Sequence, residues 1–176
     1  MRMPGSLRGT PLRKVFIPLL LLALWFGGRY WYFMPSVGAE ELAADFTAVR
    51  ADGKSFSLSD LRGGYVLLDF WGSWCAPCRR ESPELVRLHE GLADRLTIVS
   101  VAIEKDSSAW QRARTQDARL WTYNVMDQTS SLKFLGGDIA DRYGVNQVPT
   151  NFLIDPQGRV IGVSVPLSEV PQRLTP

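Results

Sequence analysis

Cys75 and Cys78 are the only cysteines in the chain, and they share one Cys-x-x-Cys in the stretch Leu68-Asp-Phe-Trp-Gly-Ser-Trp-Cys-Ala-Pro-Cys-Arg-Arg-Glu-Ser-Pro83. Two thiols this close in one rigid turn can close a disulfide with little chain entropy to lose, and can reopen it by exchange. The nucleophile in such exchange is the thiolate. An apolar run precedes the pair and a helical pattern follows it, which puts the first cysteine at a helix start. Unpaired N–H groups and the positive end of the helix dipole stabilise an anion there. Pro77 fits that first turn, where a missing N–H donor costs nothing. The spacing assigns Cys75 as the exposed attacking thiol and Cys78, one turn in, as the buried resolving thiol. Exchange then runs through a mixed disulfide at Cys75 that Cys78 releases.

The surrounding elements must position this turn. Tyr65–Trp71 is almost continuously apolar, as expected of a strand covered on both faces. Residues 77–91 read as a helix with Leu85, Leu88 and Leu92 on one stripe, and 96–103 as a second buried strand. Ser107–Gln116 reads as a polar helix, 121–126 as a strand, and 138–144 as a short helix closed by Gly144. Thr150–Ile154 and 159–164 flank a hairpin turn, and 167–174 forms a last helix weakened by Pro171. Earlier, 46–49 and 55–58 flank Asp52-Gly53, a hairpin signal. Alternating strands and helices ending in a hairpin give an α/β fold with a mixed sheet.

Charge is distributed unevenly. Arg2, Arg8, Arg13, Lys14 and Arg29 face only Glu40 in residues 1–40, and the remainder is close to neutral. The basic excess therefore belongs to the N-terminal segment and gives no support to nucleic-acid binding. Residues 1–14 read as a cytoplasmic basic tail and 15–34 as a transmembrane anchor, with Arg29 snorkelling and Tyr30-Trp-Tyr-Phe33 in an aromatic belt. A cleaved signal peptide ending at Val37-Gly38-Ala39 is the rival reading. Residues 35–44 form a linker and 45–176 the folded domain. Either reading exports the domain, which predicts a bacterial cell-envelope protein, inner-membrane anchored through the N-terminal helix, with its domain in the periplasm.

The motif resembles the thioredoxin superfamily, most closely its membrane-anchored TlpA/ResA-like thiol–disulfide oxidoreductases, over residues 42–165. Trp74-Cys-Ala-Pro-Cys78, Pro83 and Val148-Pro-Thr150 carry the resemblance. It implies a thioredoxin fold, a mixed central sheet flanked by helices, with an N-terminal β-hairpin and an inserted strand–helix element around 104–138. It implies that Pro149 is a cis-proline facing the disulfide, and that Val148 offers backbone hydrogen bonds to an extended substrate. Trp74, Ala76, Pro77 and Thr150 complete the substrate-facing surround, while Pro83 kinks the helix. Asp69 matches a buried strand aspartate that assists proton transfer to the resolving thiol. Glu81 matches a glutamate that tunes the cysteine pair, and a negative neighbour raises a thiol pKa.

No cation lies between the cysteines, and Arg79 and Arg80 read as solvated. Absence of a thiolate-stabilising cation favours a reducing couple. The expected partners are exported proteins carrying disulfides, apocytochromes among them, and a membrane thiol reductase as electron donor. No cofactor is expected. A peroxiredoxin-like peroxidase is the first alternative. It wants a threonine three residues before the reactive cysteine, where this chain has Gly72. A metal-delivering dithiol module is the second. His89 is too far along the helix to join the thiols, and no metal site is expected. Trp110 and Trp121 read as packing residues.

Overall fold

The computed structural model describes residues 11–32, 40–133 and 135–174. The basic tail up to residue 10, the cleavage site at Val37–Ala39 and residues 35–39 of the linker lie outside the described residues. The chain divides into two units, Met1–Met34 and Pro35–Pro176.

The first unit contains one helix, α1 (Pro11–Tyr32). Among the described residues no helix is long and apolar enough to cross a membrane. This corrects the expected anchor over 15–34. It also removes the membrane as a partner through an N-terminal helix, and with it the inner-membrane-anchored localisation. The physical reason is length between charges. The apolar run 15–28 lies between Lys14 and Arg29 and, at ~1.5 Å per residue, spans about 21 Å of a hydrocarbon core roughly 30 Å thick.

In the second unit, β1 (Thr47–Val49) and β2 (Ser55–Ser57) pair antiparallel as a small separate sheet. Among the described residues α1 precedes this pair, so no hairpin stands at the N-terminal end. The main sheet is built from β3 (Tyr65–Trp71), β4 (Leu96–Glu104), β5 (Tyr123–Gln128), β6 (Thr150–Ile154) and β7 (Val160–Val163). Its order is β5-β4-β3-β6-β7, with β3 central. The pairs β3–β4 and β4–β5 are parallel, whereas β6 runs antiparallel to both β3 and β7. Helices α2 (Ala76–Gly91), α3 (Ser107–Gln116), α4 (Asp138–Tyr143) and α5 (Val170–Arg173) flank it. The expected mixed sheet between helices is therefore present.

Burial on both faces follows from the period-two alternation of β3. Val66, Leu68 and Phe70 enter one core with Phe46, Phe56, Tyr143 and Phe152. Leu67 enters the opposite core with Leu85 and Leu88 of α2. Trp71 joins a third cluster with Cys75, Cys78, Ala102 and Trp110. By the same alternation Asp69 lies on the α2 side, between Leu67 and Trp71, so the fold carries a carboxylate directly into the layer beneath the cysteines.

The Tyr143 hydroxyl donates to the Ala44 carbonyl at 2.8 Å, tying the start of the second unit to α4. Burial pushes the phenol well above its ordinary value, so it remains a donor. Tyr143→Phe is expected to cost about 0.5–1.5 kcal/mol, the usual net worth of one such bond, measured by urea unfolding. A variant as stable as the native chain would show that this tie contributes nothing.

Candidate active site

Strand β3 ends at Trp71, and after the intervening Gly72, Ser73 and Trp74 the chain places Cys75 at the N-cap of α2 with extended backbone (φ −89°, ψ 97°). Its sulfur accepts the Cys78 amide at 3.2 Å, where a serine or aspartate oxygen commonly sits. Pro77 fills the second helical position, and the Arg79 amide reaches the Cys75 carbonyl at 3.1 Å. The helix start is thus an anion site occupied by sulfur. The two cysteines are joined by a disulfide, with Cα atoms 5.3 Å apart.

Cys78 is fully buried, and Cys75 retains only 4% exposure. Both residues are therefore buried, and the one read as the exposed attacking thiol is far less open than that reading expects. In the oxidised pair Cys75 belongs to one buried cluster with Cys78, Trp71, Ala102 and Trp110, against which Val148 packs. Ala76 and Pro77 are exposed beside it.

The turn between β3 and α2 is pinned from β4. The Trp74 indole donates to the Ile103 carbonyl at 2.9 Å while 41% of the residue stays exposed. Glu104 accepts from both the amide and the hydroxyl of Ser73. Gly72 is required by close approach, because a Cβ there would lie 2.5 Å from the Trp74 indole nitrogen. A threonine at this position, as the peroxidase reading needs, would collide with that ring.

From the other side the Val148–Pro149 peptide bond is cis. Val148 packs against the cysteine cluster, and Pro149 is half-buried. Thr150 is buried at the start of β6, its hydroxyl donating to the Gln147 carbonyl at 2.9 Å. These residues and the disulfide therefore meet at one end of the sheet.

Beneath the cysteines Asp69 is paired. Its Oδ2 accepts from Arg119 Nη1 at 2.6 Å and from the Ser100 hydroxyl at 3.0 Å. Glu81 is half-buried one turn past Cys78. Burial pushes its carboxyl above the ordinary glutamate value, the Asp69 charge adds to this, and Arg119 opposes it. Arg79 stays partly exposed but is also held: it forms a bidentate pair with Asp117 at 2.8 Å and reaches Gln116 at 3.1 Å. His89 lies against Trp121.

Sequence reasoning missed Arg119, Ser82 and the Glu104–Ser73 contact. One signal was available. An aspartate inside an apolar strand needs a partner, which requires some cation elsewhere in the chain to be buried. Nothing in the sequence singled out Arg119 as that cation.

Residues 39–163 match the AhpC/TSA family model. The chain is 33% identical over 158 residues to the thiol-disulfide oxidoreductase ResA of Bacillus thuringiensis, covering 85% of this chain and 83% of that protein. This chain belongs to the AhpC/TSA family, among its ResA-like members. It is a thiol–disulfide oxidoreductase whose couple is Cys75–Cys78. Other relatives are similar over a comparable length. The thioredoxin-like protein YneN of Bacillus subtilis is 29% identical over 86% of this chain and 90% of its own length. Among solved structures, the thioredoxin domain of a thiol-disulfide oxidoreductase from Bacteroides vulgatus superposes with a TM-score of 0.70 at 28% identity, covering 80% of this chain and all of that one. A thiol-disulfide oxidoreductase from Bacteroides fragilis gives 0.68 at 27%, covering 77% of this chain and 100% of that chain.

Glu104 makes a pH prediction. Burial raises its carboxyl above 4.5, although the two Ser73 bonds pull it back. An acid raised on folding binds its proton more tightly in the native state, so stability falls as pH climbs from the ordinary glutamate value through the raised one. Glu104→Gln keeps an acceptor for Ser73 but cannot ionise. Urea midpoints measured from about pH 4 to about pH 7 are expected to decline less steeply than in the native chain, and parallel curves would refute this.

Proposed function

We propose that the protein reduces disulfides in client proteins, with Cys75 attacking and Cys78 resolving. The Cys75 thiolate attacks one client sulfur, forming a mixed disulfide and releasing a client thiolate. Cys78 then attacks Cys75, closing the Cys75–Cys78 bond and freeing the second client thiol. Two electrons pass to the client, and an external dithiol must return them. The observation that carries this reading is the N-cap position of Cys75, whose sulfur takes the Cys78 amide at 3.2 Å while Cys78 is sealed beneath it. The reducing direction is supported by Ala76-Pro77, which places no cation between the sulfurs.

In this scheme Val148 and the cis Pro149 receive the client backbone. Trp74, Ala76 and Pro77 border it, and Thr150 fixes the turn behind. Glu81, raised by burial, titrates with the cysteine pair. Asp69 sets the charge beneath Cys78. The catalytic unit is residues 45–176. The β1–β2 pair opens it, and α3–β5, within 104–138, is an element added to the smaller thioredoxin plan.

Insulin reduction in the presence of a dithiol tests the proposal. The native chain is expected to accelerate it, and Cys75→Ser to fall to the uncatalysed rate. Cys78→Ser is expected to retain clients as mixed disulfides at Cys75, identified by mass spectrometry after non-reducing electrophoresis. If Cys75→Ser reduced insulin like the native chain, the assignment would fail.

A further inference from the structure

Arg119 is completely buried, yet it belongs to the connection leaving α3. Ala118 before it takes a left-handed conformation (φ 53°), and the chain then turns the guanidinium under α2. Nη1 donates to Asp69 at 2.6 Å, Nε to the Ser82 hydroxyl at 2.8 Å, and Nη2 to the Cys78 carbonyl at 3.0 Å. The guanidinium carbon sits 4.1 Å from the centre of the Trp71 ring. A guanidinium is not deprotonated in a protein, so this is a fixed positive charge, and burial is tolerable only because its donors are matched. A pair serving stability alone could sit anywhere in the core. This one meets the strand acid below the cysteines, the carbonyl of the resolving cysteine, the next turn of α2 and the last residue of β3. Two residues earlier Asp117 holds Arg79 from outside the helix.

We propose that Arg119 is a positioning residue for the redox couple, holding the Cys78 turn in place and offsetting the Asp69 carboxylate when the disulfide opens. The proposal rests on the thiol–disulfide reading. Reduction adds two electrons and one proton to the Cys75–Cys78 bond, leaving a thiolate at Cys75 and a thiol at Cys78. A new negative charge thus forms above Asp69 and beside Glu81, and Arg119 supplies the buried positive charge that opposes them. Through it the α3–β5 connection becomes part of the redox site.

The test is the pH dependence of iodoacetamide alkylation at Cys75 in the reduced full-length chain. Arg119→Met keeps the apolar stem and loses the charge. The alkylation midpoint is expected to rise, with about tenfold slower reaction at neutral pH, because an unopposed carboxylate disfavours the thiolate. Asp69→Asn added to Arg119→Met removes that carboxylate and is expected to return the midpoint towards native. A native midpoint in the single variant, or one the second change does not restore, overturns the proposal, since lost packing alone would not reverse this way. If Arg119→Met does not fold, Arg119→Lys decides. Its single ammonium keeps the charge but cannot serve Asp69, Ser82 and the Cys78 carbonyl together. A near-native midpoint with slower release of a mixed disulfide from Cys75 supports positioning, and release at the native rate overturns it. Alkylation involves no client, so failure of the native chain to reduce insulin would sink the functional reading separately.

Discussion

A fully buried positive charge ties three separate elements of this fold together. Arg119 cannot neutralise itself, so every donor it carries must find an acceptor. The acceptors are spread over β3, α2 and, through Ser100, β4. Three elements distant in sequence are thereby held in one register by one planar group. An apolar side chain in its place would pack as tightly but would not fix direction. The Cys78 carbonyl is among the acceptors, so the geometry of the first turn of α2 depends on a residue 41 positions further along the chain.

The rest of the site is built by abutment. β3 delivers Trp71 to the sheet end, Gly72 lets the Trp74 indole close over it, and β4 catches Ser73 and Trp74 through Glu104 and Ile103. The chain then enters α2 at a cysteine. Opposite, the cis Val148–Pro149 bond brings β6 in alongside. Each contact leaves Cys75 as the one sulfur near the surface and Cys78 as the one below. The proposed division between attacking and resolving thiol rests on the packing around the turn and not on the cysteines themselves.

Much of this could be read in advance, because the signals are local. The apolar run of β3, the leucine stripe of α2, the Cys-x-x-Cys and the late Val-Pro-Thr each lie within a few residues of the feature they specify. The failures share a different physics. Arg79 and Arg119 look like ordinary solvated arginines, and only the three-dimensional approach of the segment after α3 pairs Arg79 with Asp117 at the surface and buries Arg119. Cys75 is more covered than its helix-start position suggests, since it sits in a buried cluster that also draws in Trp110 and Val148 from other elements. The N-terminal stretch misled through its composition. Aromatic residues beyond Arg29 lengthened the apparent span, but the charge of Arg29 had already ended the apolar run.

The complete burial of Cys78 has a consequence for chemical damage. Peroxides and small electrophiles act on a thiolate they can reach, and progress from sulfenic to irreversible sulfinic acid needs repeated access. Cys78 has no exposed surface and Cys75 a small remainder, so Cys75 is the sulfur an oxidant meets first. A sulfenic acid formed there has a protected thiol directly beneath it, which condenses with it to restore the disulfide and release water. The pair is therefore self-repairing against its first oxidation step, because the second sulfur is kept out of reach of the oxidant.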